Sequence, residues 1–267
     1  MALVEHVSNP SDGRLAGYVG LTDAQLRASR EAADGVFIVE GHTALARAVT
    51  SPYPLRSVLC LPGRLAVVQA ALGDTEVPVY VAERDVLAAT AGFDVHRGVL
   101  ALAGRRAPQA MDTVLADAHT IVILEGLSDQ ENVGAIVRSA RAFGVDAMLL
   151  DPTTADPLGR RSVRVSMGEV LHVPWARATP WPEALHTLAD GGWRVLALTP
   201  AADARSLRTV SRAPDDRVAL LLGAEGPGLS AAAMARAERV GIPIRPGVDS
   251  LNVGHATAVA LWHLGET

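Results

Sequence analysis

Apolar and polar positions alternate along the chain in two spacings. Short apolar runs at 36–39, 56–61, 77–81 and 98–101 have the length of buried strands, while 21–33, 43–49 and 83–89 carry the looser spacing of helices. Together they predict a small α/β unit. Around 104–112 the pattern breaks into Gly-Arg-Arg-Ala-Pro-Gln, a polar stretch with a proline, which places a linker there. Domains are therefore expected at 1–108 and 109–267. From residue 120 the alternation is stronger, with strands predicted at 121–124, 147–150, 193–198 and 218–222, helices at 133–143 and 182–190, and a final helix after 252. Strands alternating with helices predict an α/β fold whose parallel sheet is covered on both faces. Ligands of such sheets bind outside the carboxyl ends of the strands. There is no internal repeat.

Composition narrows the class. A chain of 267 residues that is 49% hydrophobic and 20% charged has enough apolar surface for two folded cores. No apolar run approaches the roughly 20 residues of a membrane span. The start, Met-Ala-Leu-Val-Glu-His, lacks the basic and apolar regions of a signal peptide, so a cytoplasmic location is expected. Cys60 is the sole cysteine, which excludes an intrachain disulfide and a cysteine-cluster metal site; it reads as a small buried hydrophobe. No His/Asp/Glu group has ligand spacing, so no metal is expected. The net charge of −5 opposes general binding to polyanions. The distribution points the other way: all 24 basic residues are Arg, and they cluster at Arg138 and Arg141 and at Arg160, Arg161 and Arg164. Guanidinium groups can grip phosphate bidentately.

Three segments carry candidate chemistry. The first runs from Glu125 through Asn132 and Gly134 to Arg138, following a strand and opening a helix. Asn132 falls where an N-cap or loop residue would sit, and Arg138, six residues on, is presented from a rigid element. The plain alternative is a capped helix carrying a solvated arginine. The second is Leu222-Gly-Ala-Glu225-Gly-Pro-Gly228-Leu-Ser, in which three glycines let the backbone pass close to a ligand. Its spacing is neither the dinucleotide fingerprint nor the phosphate loop. A tight turn capped by Ser230 is the competing reading. The third leads from Ile242 through Ser250, Leu251 and Asn252 into the final helix, with Ser250 and Asn252 available for capping or for ligand contact.

Asn-x-Gly-x-x-x-Arg, Gly-x-Glu-x-x-Gly and Ser-Leu-Asn-Val, in this order, closely resemble the motifs of the SpoU family, also called TrmH, of RNA ribose methyltransferases in the SPOUT superfamily. The match runs from about Val114 to the C-terminus. The N-terminal piece, with Phe37-Ile-Val-Glu-Gly41, resembles the small RNA-recognition domain that many members carry. The resemblance implies a parallel-sheet SPOUT domain with a C-terminal trefoil knot, an exception to the unknotted-chain rule. It also implies S-adenosylmethionine as cofactor, structured RNA as substrate and an active site formed at a homodimer interface. Carried over, Leu222, Gly223, Ile242 and Leu251 contact the cofactor. Glu225, Ser250 and Asn252 order the site with Asn132, and Arg138 is the catalytic arginine. A guanidinium is almost never neutral near pH 7, so positioning of the substrate phosphate suits it better than proton abstraction. Arg164 resembles a second family position that contacts RNA, with a solvated surface arginine as the alternative, and Arg160 and Arg161 join a phosphate-facing patch only by proximity. One departure is Gly254-His255, where the family usually has Ser or Ala and then an aliphatic residue, and it bears on the pocket floor.

Two other classes compete: an RNA-binding module that has lost catalysis, and an unrelated nucleotide-dependent α/β enzyme. Retention of Asn132, Arg138, Glu225, Ser250 and Asn252 argues against the first. Within the family, the separate N-terminal domain tilts the substrate toward ribosomal rather than transfer RNA.

Overall fold

A computed structural model describes residues 3–22 and 33–266, so the helix predicted over 21–33 lies almost wholly outside the described residues. Internal contacts divide the chain into two compact units, Met1–Ala107 with Leu158–His172 and Pro108–Pro157 with Val173–Thr267.

In the first unit, strands β1 (Val4–His6), β2 (Val36–Glu40), β3 (Leu55–Cys60), β4 (Val79–Val81) and β5 (Val99–Gly104) form one sheet in the order β1-β4-β3-β5-β2. β1, β4 and β3 run parallel, and β5 is antiparallel to both β3 and β2. Every residue of β2 is buried, Glu40 included. A buried carboxylate needs a partner, and Arg160 supplies it at 2.6 Å. The same guanidinium lies 4.4 Å over the Phe93 ring. Arg47 donates to the Met167 carbonyl at 2.6 Å and pairs with Glu169. Residues 158–172, read from the sequence as part of the second domain, thus pack with the first. Arg160 is engaged in this ion pair and is no member of a phosphate-facing patch. Cys60 is buried, and burial pushes its thiol up to about 11, in keeping with an inert apolar role.

The second unit is built on β6 (Thr120–Glu125), β7 (Ala147–Leu150), β8 (Trp175–Arg177), β9 (Arg194–Leu198), β10 (Arg205–Ser206), β11 (Val218–Gly223) and β12 (Glu238–Gly241). All seven pair in parallel, in the order β10-β12-β9-β11-β6-β7-β8. β6, β7 and β11 lie inside the sheet, and their near-continuous apolar runs are what a strand covered on both faces requires. From β6 the chain builds outward to β7 and β8, then crosses to β9 and leaves a gap that β11 later fills. That reversal is where an open parallel sheet forms a crevice at its carboxyl ends.

Two helices frame it. Gln130–Ala142 starts three residues before the apolar pattern does, because Asp129 caps it by accepting from the Glu131 amide at 2.8 Å. The final helix, Val253–Glu266, packs against Gln130–Ala142. Among the described residues no helix is long and apolar enough to cross a membrane, and no group of three or more His, Cys, Asp or Glu side chains has the arrangement of a metal site.

Candidate active site

The loop after β6 is held by the loop after β7. Asp151, buried just past β7, accepts from the Gly126 amide at 3.1 Å, the Thr154 amide at 2.7 Å and the Thr153 hydroxyl at 2.6 Å. Burial alone would push the Asp151 carboxyl up; these hydrogen bonds outweigh it and hold the group below its ordinary 3.8. Arg177, at the end of β8, donates to the carbonyls of Asp151 and Thr154 at 2.8 and 2.6 Å. The Leu127 amide reaches the Thr154 hydroxyl. This fixed turn leads into Asp129 and the helix. Asn132 is therefore a buried residue of the first helical turn, not the cap that its sequence position suggested.

The loop after β11 folds back on itself, with Ala224 and Gly228 bridged and the Gly228 amide donating to the Ala224 carbonyl at 3.0 Å. A Cβ on Gly223 would meet the backbone of Gly228 and Leu229 at 2.5 Å, so only glycine permits this approach. Glu225 projects from the loop toward the third segment.

Asn252 joins the three segments. Its side-chain amide donates to Asn132 Oδ1 at 2.9 Å and to Glu225 Oε1 at 2.8 Å. Its Oδ1 accepts from the Gly254 and His255 amides at 2.9 and 3.3 Å, which caps the final helix. Both donors and both lone pairs are used, and the reverse amide orientation would set N–H against N–H at the helix start. Capping and ligand-site geometry, open alternatives in the sequence, coincide here in one side chain.

Beside this junction lies a cleft of about 780 Å³ at the carboxyl ends of β9, β11 and β12. Leu222, Gly223, Ile242 and Leu251 line it, together with Glu225, Ser250 and Asn252. Ser250 is exposed there and makes no hydrogen bond among the described residues. Arg138 is placed differently. It is exposed on the Gln130–Ala142 helix, does not line the cleft, and makes no hydrogen bond or ion pair among the described residues. Arg164 is half-buried on the short helix Arg160–Val165, in the segment that packs with the first unit. Gly254 does not line the cleft; a Cβ on it would come within 3.0 Å of the Ala135 Cβ, so the glycine serves the close approach of the two helices. His255 is exposed.

Ser230 caps the helix after the glycine loop, as one reading of the sequence had it; Asp151, Thr154 and Trp181 escaped the sequence reading, as did the role of Glu125, which with Ser230 and Trp181 forms a hydrogen-bonded group. The available signal was an acid ending an otherwise apolar strand run, seen at both Glu125 and Asp151.

The family model described as the SpoU rRNA Methylase family matches residues 119–262. The chain belongs to that family. An uncharacterised tRNA/rRNA methyltransferase of Mycobacterium tuberculosis is 41% identical over 261 residues, 97% of this chain and 91% of its own length. The 23S rRNA (guanosine(2553)-2'-O)-methyltransferase of Bacillus subtilis is 24% identical over 234 residues, 85% of this chain and 88% of its own. In fold, this SpoU-family chain matches the AdoMet-bound rRNA methyltransferase of Sinorhizobium meliloti with a TM-score of 0.81 at 24% identity, over 97% of both chains.

Proposed function

We propose that this SpoU-family methylase transfers a methyl group from S-adenosylmethionine to a ribose 2'-hydroxyl of ribosomal RNA. The observation that carries the reading is the Asn252 junction, which draws all three motif segments to the lip of one cleft. Its volume falls within the roughly 300–1,000 Å³ of small-molecule sites. Apolar side chains (Leu222, Leu251) and the backbone of a glycine loop suit a ligand with a flat base and a polar amino-acid tail. The family and the name of the Bacillus subtilis relative support the 2'-hydroxyl and ribosomal RNA.

Leu222, Gly223, Ile242 and Leu251 would hold the cofactor, which supplies a methyl group already activated by a sulfonium. The chain's own work is placement. Asn252 fixes Glu225 and Asn132 at the lip, and Ser250 offers a hydroxyl with no competing bond. Arg138 grips a substrate phosphate and so fixes the ribose, and the 2'-hydroxyl proton leaves to a neighbouring phosphate oxygen. We read Arg138 as serving the junction of a second copy. Support comes from large apolar side chains left exposed just past the end of the Gln130–Ala142 helix, Phe143, and on the final helix, Val259 and Trp262, which is 52% exposed. The passage from β12 through Ser250 into the final helix is, on this reading, the family's trefoil knot.

Incubation with labelled S-adenosylmethionine and purified ribosomal or transfer RNA tests the proposal. Label in ribosomal RNA is the expected result, label in transfer RNA alone would change the substrate class, and cofactor binding without transfer to either RNA would contradict it.

A further inference from the structure

Of the buried carboxylates, Glu125 lies beside the cleft loop and has no part in the mechanism above. Glu125 ends β6 directly opposite Gly223 of β11 in the sheet register, and it is 8% exposed. It accepts three hydrogen bonds: the Ser230 amide on Oε2 at 2.8 Å, and the Ser230 hydroxyl and Trp181 Nε1 on Oε1, each at 2.7 Å. The Ser230 hydroxyl in turn accepts from the Ala233 amide at 3.1 Å. Hydrogen bonds to an ionised acceptor are roughly twice as strong as neutral ones.

Ser230 is the downstream end of the loop that begins at Gly223, and that loop lines the cleft through Leu229. Inside the loop the Gly228 amide bonds back to the Ala224 carbonyl, while Gly226 and Gly228 sit at φ +87° and +71° and both are exposed. Glycines have the most conformational freedom to lose, so contacts at the two ends of the loop add to that internal bond in keeping it in one shape. Asn252 holds the upstream end through Glu225. Glu125 holds the downstream end through both polar groups of Ser230. We propose that Glu125 is a positioning residue for the cofactor cleft, anchoring the glycine loop so that affinity for the methyl donor depends on it. This inference rests on the S-adenosylmethionine reading above.

Glu125→Gln distinguishes a carboxylate anchor from simple space filling. The amide keeps the volume and, in its better orientation, still accepts from Trp181 and the Ser230 hydroxyl. Its NH2 then opposes the Ser230 amide, donor against donor. Calorimetry on the full chain should give an S-adenosylmethionine Kd raised about tenfold in Glu125→Gln. The KM for RNA and kcat at saturating cofactor should stay within about twofold. Ser230→Ala should weaken binding by a smaller factor, and Ser230→Thr, which restores the hydroxyl, should recover it. The double variant Glu125→Gln/Ser230→Ala should lose less than the product of the two single losses, because both weaken the same anchor at Ser230. An unchanged Kd in Glu125→Gln, or additive losses in the double variant, would overturn the proposal. If Glu125→Gln does not fold, equal Kd values for Ser230→Ala and Ser230→Thr overturn it instead. Hydrogen exchange of amides 224–230 in the ligand-free chain separates this idea from the reading it rests on. Faster exchange in Ser230→Ala than in the unaltered chain supports the anchor even if S-adenosylmethionine fails to bind, an outcome that would sink the proposed function. Equal exchange removes the anchor.

Discussion

Asn252 has two amide hydrogens and two lone pairs, and the molecule uses all four. Removing the side chain and changing its charge should therefore separate. Asn252→Ala loses the cap, which costs about 1 kcal/mol, and should lower the melting temperature with or without S-adenosylmethionine. Asn252→Asp keeps an acceptor for the Gly254 and His255 amides but turns oxygens toward Asn132 and Glu225; the melt of the ligand-free chain should fall less, and the rise on adding S-adenosylmethionine should vanish. Arg138 behaves differently because it stands away from the cleft. Arg138→Ala should leave the calorimetric Kd for S-adenosylmethionine nearly unchanged and lower methyl transfer at least about a hundredfold. Near-normal transfer would remove it from the mechanism. At this scale the sequence singled out Asn132, Glu225 and Asn252, which the structure brings into one hydrogen-bonded junction. It was not readable where a neighbour in space decides. Asp129 took the cap expected of Asn132, and Glu40 claimed Arg160 from 120 residues away.

Strands buried on both faces announced themselves. β6, β7 and β11 are unbroken apolar runs, found in the structure within a residue of their predicted ends. β8, β10 and β12 lie toward the sheet's two edges, are short and carry charged residues, so no alternation marked them. β12 nevertheless delivers Ile242 to the cleft. The turns between elements were least legible, because their order comes from side chains of the next turn along. The Asp151 anchor has a pH signature. Its folded carboxyl lies below the ordinary 3.8, so its contribution to stability is full above that value and is lost as pH falls through the lower folded value. The stability difference between the unaltered chain and Asp151→Asn should accordingly be largest near neutral pH and close in strong acid, as denaturant melts across a pH series would show. A constant difference would mean that the carboxylate's charge is not what holds the Gly126 turn.

Strand order cannot be read from an α/β pattern, since parallel strands joined by long crossovers leave the sequence free to place each one on either side. The gap beside β6 that β11 fills, and with it the crevice, came only from the structure. The return of residues 158–172 to the first unit was equally hidden, because nothing local in that stretch says which core it joins. With Arg138 away from its own cleft and Val259 and Trp262 exposed on the final helix, the protein should be a homodimer by light scattering at micromolar concentration, and a monomer there would contradict the shared site. The most direct test of the proposed chemistry is alkaline digestion of ribosomal RNA after transfer from radiolabelled S-adenosylmethionine, because a methyl on the 2'-oxygen blocks cleavage at its own linkage. Label in an alkali-resistant dinucleotide is the predicted result. Label released in mononucleotides would place the methyl on a base and contradict ribose methylation.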